Sequence, residues 1–457
     1  MTALLWLTRD LRAHDHPALR AALDRHERVV PVFCFDPRLL NGRHASATRT
    51  RFMLECLEEL DQRLGGIVFR EGTPERELPA LASEFGAEAV HASADVGPFA
   101  RRRLEAVRRA LDCELVLHPG VAAVDDLDAI RTGAGKPYTV FSPFHRSWLT
   151  EPRRKLIGAP RSLPGLPSAL RKGRLPSLES LGLEGQVDDP PHGGEQAARS
   201  VLSDFLRDGV RSYEDQHDAL GADATSRLSP YLHFGCISPR EIEEQLPRGA
   251  GPDAFRRQLC WRDFYAHVLL HFPRNARSEF QERYRGAISW SRSEKSFDAW
   301  REGRTGYPLI DAAMRQLRTE GWMHNRGRLV VGSFLTKHLG IDWRWGERWF
   351  MRMLVDGDQA NNNGNWQWIA SVGVDPQPFF RRIYNPTLQM RRHDPEGRYV
   401  RRHVEELRDV PDEYLAEPWT MPEDIQQACG CVIGEDYPEP IVDHAEARRA
   451  AFDRYGR

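Results

Sequence analysis

The N-terminal quarter of the chain alternates short apolar runs with segments in which apolar residues recur at helical spacing. Strands are predicted where the apolar runs are continuous, over residues 3–8, 29–35, 67–70, 88–92 and 114–117. Helices are predicted between them, over residues 17–24, 49–64, 74–85 and 98–111. Because strands alternating with helices are typical of βαβ units, we expect an α/β domain with a five-stranded parallel, Rossmann-like sheet.

The alternating pattern stops after residue 150. Prolines recur in the next stretch, at positions 152, 160, 164, 167, 176, 190 and 191. Frequent prolines without apolar periodicity are typical of an irregular connector. Between residues 131 and 180, ten Lys or Arg stand against two Glu, a local positive charge that we attribute to a solvated linker.

Helical spacing returns after residue 195, and strand signals nearly vanish. Helices are predicted over residues 196–207, 240–246, 253–271, 308–319, 325–338 and 345–355. We therefore expect three parts: an α/β domain at 1–128, a connector at 129–195 and a large all-α domain at 196–457.

The composition fits a soluble globular protein and excludes several other classes. The 457 residues are 40% hydrophobic with a mean hydropathy of −0.57, and no run approaches the roughly 18 apolar residues of a membrane span. No secretory leader is visible, and the seven scattered cysteines form neither a disulfide framework nor a zinc or iron–sulfur motif. We expect a cytoplasmic protein without a bound metal. The net charge of −2 implies that any nucleic-acid surface is local.

Two residue types are unevenly used. Nine of the twelve tryptophans lie between Trp261 and Trp368, and a large aromatic core is the simplest explanation. Of the 64 basic residues 59 are arginine, which a GC-rich genome explains. Neither excess identifies a partner by itself.

The densest unusual segment is residues 356–368, which contain two Asp, four Asn and two Trp. Asn and Asp compete for backbone hydrogen bonds, so this segment predicts a poor helix and a poor strand. Its polar groups need solvent or a polar partner, and its tryptophans argue against simple exposure. A ligand site and a polar turn beside a core are the two interpretations.

The same segment closely resembles the flavin-binding signature of the DNA photolyase/cryptochrome family. Further motifs of that family follow in order, at residues 9–19, 136–144, 225–232, 261–265, 306–315 and 321–326. The resemblance implies an antenna-binding α/β domain followed by a helical FAD-binding domain. It also implies light-dependent repair of cyclobutane pyrimidine dimers in UV-damaged DNA, in which excited reduced FAD (FADH⁻) passes an electron to the dimer. Flipping the dimer out of the duplex is a step already ascribed to photolyases in general.

The resemblance implies particular contacts to FAD. The run 225–229 corresponds to contacts of the phosphates and ribityl chain, although an ordinary helix N-cap is the alternative for Thr225 and Ser226. Asn362 corresponds to the residue that faces flavin N5, and Arg328 to a partner of Asp356. The residues implied to bind FAD are Tyr213, Thr225, Ser226, Arg227, Leu228, Ser229, Arg262, Arg328, Asp356, Gly357, Asp358 and Asn362.

Three tryptophans correspond to the electron-transfer chain that photoreduces the flavin in this family. They are Trp366, Trp343 and Trp290, which with Asn362 are the implied catalytic residues. Core packing is the alternative for these three. We assign four other tryptophans to core packing, namely Trp300, Trp322, Trp345 and Trp349.

The implied substrate pocket departs from the family pattern. Trp261 and Trp368 correspond to the aromatics that hold the dimer, and Asn325 to an amide that contacts it. Gln258 stands where the family has a glutamate, and an amide donates a hydrogen bond but supplies neither a proton nor a charge. Weaker or slower repair is therefore expected. The implied DNA contacts at the rim are Arg326, Gln389 and the arginines at 381, 382, 391 and 392.

The resemblance implies a second, light-harvesting chromophore in the α/β domain. Cys34, Arg49 and the segment 95–99 resemble the deazaflavin-binding branch of the family more than its folate branch. We therefore favour 8-hydroxy-5-deazaflavin over 5,10-methenyltetrahydrofolate as the antenna. A monomer is expected.

Two other functions stay open at this point. One is a cryptochrome-like blue-light photoreceptor without repair activity, which Gln258 favours, as does His217 in place of a family arginine. Asn362 and the two pocket tryptophans favour repair instead. The other is an oligonucleotide-binding flavoprotein that only stores flavin.

Overall fold

The computed structural model describes residues 1–161, 163, 172–185, 187–375 and 377–456. Its N-terminal part is built on one sheet, with strands β1 (Thr2–Trp6), β2 (Arg28–Phe35), β3 (Val68–Glu71), β4 (Ala87–Ser93) and β5 (Glu114–His118). Neighbouring strands are parallel, in the order β3-β2-β1-β4-β5. The five-stranded parallel sheet is confirmed, with small shifts at the strand ends.

Helices cover both faces of the sheet, which explains why its strands are continuously apolar. The helices are α1 (Pro17–Arg25), α2 (Pro37–Leu40), α3 (Ala47–Leu64), α4 (Pro74–Phe85) and α5 (Pro98–Ala110). Leu5 of β1 packs in the layer that contains α1 and α3, whereas Leu4 and Trp6 pack with α4 and α5. Successive side chains of one strand are therefore buried on opposite sides.

An irregular connector joins the sheet to the second part of the chain. Helix α6 (Phe141–Thr150), which was not predicted, lies within the range 129–195 that was assigned to the connector. The described residues between 151 and 194 form neither a helix nor a strand, in agreement with the proline spacing. Pro164 and Pro167 lie outside the described residues.

The second part is helical, as predicted, and its described residues contain no strand beyond isolated bridges. Its helices are α7 (Glu195–Asp204), α8 (Tyr213–Gln216), α9 (Ser229–Phe234), α10 (Pro239–Gln245), α11 (Ala250–His271), α12 (Glu294–Glu302), α13 (Pro308–Glu320), α14 (Asn325–Ser333), α15 (Trp343–Met353), α16 (Gln359–Ile369), α17 (Pro386–His393), α18 (Arg398–His403), α19 (Glu423–Cys429) and α20 (His444–Tyr455). Single π-helical turns follow α7 and α14 directly.

The two parts share a hydrophobic core. The Phe52 ring of α3 lies 5.3 Å from the rings of both Tyr231 and Phe234 in α9. Gly235, which ends α9, has a φ of +69°, and a Cβ there would lie 2.2 Å from the Arg9 carbonyl oxygen. Only glycine allows this close approach, which sets the loop after β1 against the helical part.

Candidate functional site

A cavity of about 410 Å³ opens in the helical part, between α8, α9, α11, α14, α15 and α16. The predicted residues that line it are Tyr213, Thr225, Ser226, Arg227, Leu228, Ser229, Gln258, Trp261, Arg262, Asn325, Arg328, Asp356, Asp358, Asn362, Trp366 and Trp368. Gly357 is the one residue of the predicted FAD set that does not line it. Gly357 instead makes room for Arg49, because a Cβ there would lie 2.6 Å from Arg49 Nη1.

The Asp- and Asn-rich segment forms helix α16, so the expectation of a poor helix is wrong. Asp358 caps this helix, since its Oδ1 accepts a hydrogen bond from the Asn361 backbone N–H at 2.8 Å. Asn362 Nδ2 donates to the Glu347 carbonyl of α15 at 2.9 Å. Side chains that cap the helix or bond to a neighbouring helix do not compete for the helical backbone bonds.

Two arginine–aspartate pairs set the charge of the cavity wall. Arg328 bonds Asp356 with both terminal nitrogens, at 3.1 and 2.8 Å. Arg9 donates Nη2 to Asp358 Oδ2 at 2.7 Å and Nε to the His233 carbonyl at 3.0 Å. Burial would raise the pKa of Asp358, but the Arg9 guanidinium holds that pKa below its usual range. Asp358 is therefore an ionised carboxylate with a fixed partner.

Residues 225–229 lead into the start of α9 and contribute hydroxyl groups to the cavity wall. Leu228 holds the N-cap position of α9 and makes no side-chain cap bond, so the N-cap interpretation of Thr225 and Ser226 is wrong. Thr225 Oγ1 is buried without a hydrogen-bond partner among the described residues. A buried, unpaired hydroxyl at a cavity wall is a group that a polar ligand would satisfy.

Trp261 and Trp368 give another part of the cavity wall a flat, apolar surface. Trp261 stacks on Phe141, with ring centroids 3.6 Å apart and planes within 3° of parallel. Trp368 donates Nε1 to Asp375 Oδ2 at 2.9 Å. Both indoles are held by neighbouring groups and also line the cavity. Such surfaces suit the stacking of flat bases.

The three predicted electron carriers run from the cavity wall toward the surface. Trp366 lines the cavity, Trp343 is fully buried and Trp290 is half-buried. Trp366 packs against Gly346, which lies one turn along α15 from Trp343. A Cβ at position 346 would lie 2.1 Å from the Trp366 ring. The residue after Trp290 bridges to Ile341, two residues before Trp343. This order of burial is the one that an outward path requires.

Two of the arginines expected at a DNA-facing rim are buried or half-buried and are paired with carboxylates. The expectation of a phosphate contact is wrong for Arg382, which is 2% exposed and donates Nη2 to Asp375 Oδ2 at 2.6 Å. Arg326 pairs with Asp218 through Nε at 3.2 Å and does not line the cavity. A guanidinium paired with a carboxylate attracts a phosphate less strongly, because the negative charge beside it offsets its own.

The other rim residues are more accessible. Arg381, Arg391 and Arg392 are exposed, although Arg391 pairs with Glu417 at 2.7 Å. Gln389 is half-buried. His217 lines the cavity, and its Nδ1 lies 2.8 Å from the Tyr213 carbonyl oxygen.

A second cavity of about 200 Å³ lies at the carboxyl edge of the sheet, where the strand order reverses between β1 and β4. Asp95 and Gly97 line it from the α/β part, and Arg262 and Asp358 from the helical part. Arg9 lines this cavity and the larger one. Crevices at such reversal points are where open α/β sheets bind ligands.

The predicted antenna residues Cys34 and Arg49 do not line either cavity. Cys34 is buried in the layer with α4 and α5, and burial raises the pKa of its thiol to about 12. Arg49 reaches the helical part, where its Nη1 donates to the Met351 carbonyl at 2.6 Å and the Leu354 carbonyl at 3.3 Å. The structure does not bring the two residues together.

Several residues that were not predicted as site residues also line the cavity, among them Arg9, His233 and Trp322. Arg9 lies in the 9–19 motif, but its type does not separate it from the other arginines. His233 gives no sequence signal, yet its Nδ1 is a buried atom without a partner among the described residues. Trp322, assigned above to core packing, lines the cavity with the Arg227 guanidinium 4.5 Å over its ring.

Comparison with known proteins gives one family for both parts. Residues 3–164 match the model described as DNA photolyase, and residues 255–457 match the FAD binding domain of DNA photolyase. The deoxyribodipyrimidine photo-lyase of Streptomyces griseus is 41% identical, over 99% of this chain and 98% of that protein.

Solved structures agree with the sequence relatives. A class III photolyase from Agrobacterium tumefaciens is 35% identical with a TM-score of 0.91, covering 100% of this chain and 97% of that one. A cryptochrome from Synechocystis is 29% identical with a TM-score of 0.90, covering 99% of each chain. An archaeal photolyase from Sulfolobus tokodaii, solved with two FAD molecules, is 32% identical with a TM-score of 0.85 and full coverage of both chains.

The fold and the cavity thus define a flavoprotein with an α/β part and a helical FAD-binding part. The chain belongs to the DNA photolyase family. Among the described residues, no helix combines the length and apolar character needed to cross a membrane. The same residues contain no cluster of three or more His, Cys, Asp or Glu with the geometry to hold a metal ion.

Proposed function

We propose that this protein uses light to split cyclobutane pyrimidine dimers in DNA, with reduced FAD as its cofactor. The observation that carries the proposal is a single cavity that joins a polar, charged wall to a pair of tryptophans. The polar wall suits a dinucleotide, and the tryptophans suit stacked bases. When bound, reduced FAD supplies the light-driven electron that opens the cyclobutane ring of the dimer.

The residues of the polar wall fit FAD chemically. Thr225 Oγ1 and His233 Nδ1 are buried polar atoms that lack partners among the described residues and need hydrogen bonds. Thr225 and Ser226, with Tyr213, would hold the phosphates and the ribityl chain. The Arg328–Asp356 pair would face the flavin ring, and Asp358 the adenosine side.

Asn362 is proposed to contact flavin N5. Its Nδ2 is held by the Glu347 carbonyl at 2.9 Å, which fixes the orientation of the amide. The other polar atom of the amide is an acceptor, which is what an N–H at N5 requires. An aspartate in the same place would instead add a second charge beside the ring.

Trp261 and Trp368 are proposed to hold the flipped dimer by stacking, and Gln258 and Asn325 to hydrogen-bond its base carbonyls. Both amides line the same cavity as the indoles. Gln258 donates a hydrogen bond, but it carries no proton to share with a thymine radical anion. Binding is therefore expected to be retained better than the repair yield.

Trp366, Trp343 and Trp290 are proposed to restore the reduced cofactor by passing electrons inward from the surface. Among the aromatic side chains, the indole of Trp and the phenol of Tyr are the most readily oxidised. The rise in exposure from Trp343 to Trp290 supports this direction.

A direct assay tests the proposed reaction. The protein is chemically reduced, mixed with UV-irradiated oligothymidylate and illuminated with blue light. Recovery of thymine absorbance supports repair, and no recovery in the light sample contradicts it. A dark sample and a Trp261→Ala variant serve as controls, and both are expected to show no recovery.

A blue-light receptor without repair activity is the second candidate function. It is favoured by Gln258 and by the similarity to the Synechocystis cryptochrome. In that case the assay above gives no recovery, while illumination still changes the flavin spectrum.

We also propose that the second cavity holds a light-harvesting chromophore, with 8-hydroxy-5-deazaflavin favoured over a folate. Its place at the reversal of the sheet order supports a ligand there. Reconstitution with deazaflavin, methenyltetrahydrofolate or FAD, followed by fluorescence excitation spectra, discriminates among the three. The favoured chromophore is expected to transfer energy to the bound flavin.

A cytoplasmic monomer is proposed as the working form. All seven cysteines are free, which suits a reducing compartment. Light scattering coupled to size-exclusion chromatography tests the monomer, and a dimer mass would contradict it.

A further inference from the structure

Trp368 is held in place by a carboxylate and a guanidinium together. Its Nε1 donates to Asp375 Oδ2 at 2.9 Å. Arg382 Nη2 donates to the same oxygen at 2.6 Å, and the Arg382 guanidinium carbon lies 4.0 Å from the centre of the Trp368 ring. The edge and one face of the indole therefore have separate polar partners.

These contacts leave the indole little freedom to rotate. The hydrogen bond to Asp375 fixes the position of the ring edge, and the cation over the ring fixes its tilt. Arg382 is buried and does not line the cavity, so it covers Trp368 from the protein side. The cavity side of the same ring stays open to a ligand.

Arg382 is itself anchored at a cost. Its carbonyl oxygen accepts a hydrogen bond from the fully buried Ser333 Oγ at 2.8 Å. Its Nη1, however, is buried without a partner among the described residues. A buried cation with an unpaired nitrogen contributes little to stability. Proteins in which apolar residues of similar volume replace a buried ion pair are often at least as stable. The arrangement therefore points to a use other than packing.

We propose that Asp375 and Arg382 are positioning residues for dimer recognition, which preset Trp368 as a rigid wall of the substrate pocket. This inference rests on the proposed function. Ordering a side chain costs free energy at binding, and a side chain that is already ordered avoids that cost. The pair thus increases the affinity for an extrahelical dimer without itself contacting it, and it contributes little to binding of undamaged duplex.

The first test compares binding of an oligonucleotide with one dimer and the same oligonucleotide without it. Arg382→Gln and Asp375→Asn are each expected to weaken dimer binding about three- to tenfold, with unchanged binding of undamaged DNA. Arg381→Gln is the matched control, because it removes the same charge one residue away at an exposed site. This control is expected to weaken the binding of the two oligonucleotides equally. Equal weakening by Arg382→Gln would overturn the proposal.

A double-variant cycle with Trp368→Phe separates positioning from general destabilisation. If Arg382 acts through the indole, Arg382→Gln adds almost no further loss of dimer binding in the Trp368→Phe background. Fully additive losses would overturn the proposal. Arg382→Lys keeps the charge but not the planar fork, so it is expected to lose dimer selectivity as well, and full retention would contradict the proposed stacking.

A readout without DNA keeps this inference distinct from the proposed function. The near-ultraviolet circular dichroism of Trp368 is obtained in the flavin-loaded protein as the difference from Trp368→Phe. It is expected to shrink when Arg382 is changed to Gln, and an unchanged band would refute the preset wall. If the native protein shows no preference for dimer DNA, the proposed function fails, whereas this spectral difference still tests the positioning.

Discussion

Arg9 and Asp358 form an ion pair at 2.7 Å between the loop after β1 and the N-cap residue of α16. Both residues line the large cavity and the second cavity. Asp358 also caps α16, the helix that carries Asn362 and Trp366. The pair therefore connects the carboxyl edge of the sheet to the proposed flavin-facing helix.

Replacing Arg9 by Gln is expected to loosen the bound flavin. The Asp358 carboxylate would lose its cation, and hydrogen bonds to charged groups contribute about 1.5–3 kcal/mol each. The release of FAD on heating, monitored by its fluorescence, should begin at a lower temperature than in the native protein. Arg20→Gln removes an arginine from an exposed pair with Asp24 and serves as the control. Identical release from both variants would contradict a role for the Arg9–Asp358 pair in flavin retention.

Trp366→Phe is expected to retain FAD and to lose fast photoreduction. Phenylalanine fills most of the space of the indole but is much harder to oxidise. Illumination of the oxidised protein with an external reductant, monitored by the loss of flavin absorbance, measures the effect.

Trp300→Phe is the matched control for this variant. Trp300 is fully buried, and its ring centroid lies 6.2 Å from that of Trp366. Its Nε1 donates to the Val331 carbonyl at 3.1 Å, as expected for a packing residue. We expect lower stability with normal photoreduction. If both variants photoreduce equally well, the electron path does not pass through Trp366.

Gln258→Glu is expected to increase the repair yield. A carboxyl group donates a hydrogen bond when protonated and shares its proton as charge develops on the dimer, which the amide does not. Hydrogen bonds to charged groups exceed neutral ones by about 1 kcal/mol, so a gain of roughly fivefold is reasonable. The number of thymine dimers repaired per absorbed photon measures this gain. Asn325→Asp, an amide-to-acid change in the same cavity, is the control, and an equal gain there would refute a specific role for residue 258.

The sheet and most helices were predictable because the spacing of apolar residues along a strand or helix can be read from the local sequence alone. Each strand of the sheet is buried on both faces, so its run of apolar residues is unbroken. Helix α16 was not predictable in the same way. Asn362 is compatible with that helix because Glu347, fifteen residues earlier, accepts its amide hydrogen bond. Sequence periodicity carries no record of such a partner.

The candidate site shows the same limit at the level of single residues. Arg381 and Arg382 are adjacent and chemically identical, yet one is exposed and the other is buried against Trp368. The family motifs identified the cavity-lining residues well, because those residues lie in contiguous segments. They did not distinguish a residue that faces the ligand from one that supports it, since that depends on packing between distant segments.

A cluster of three histidines in the α/β part is expected to make the fold sensitive to acid. His91 of β4 contacts His118 through Nδ1 at 2.9 Å and His26 through Nε2 at 3.3 Å. Burial, followed by the neighbouring His118 and His26, lowers the pKa of His91 to about 4. A histidine in an unfolded chain has a pKa of about 6.5. Between these values the unfolded state binds more protons, so stability falls as the pH falls through that window.

The contribution of His91 is measured by comparing His91→Gln with the native chain. The free energy of unfolding is obtained from thermal unfolding at about pH 7.5 and about pH 5.5. It should fall between these pH values in both proteins, and the fall should be smaller in the variant by on the order of 1 kcal/mol. Other buried histidines, such as His338 with a pKa lowered to about 3 by burial, titrate in both proteins and cancel in the comparison. His192→Gln, at an exposed site, controls for the loss of an imidazole. If the drop is the same in all three proteins, the cluster is not what makes the fold acid-sensitive.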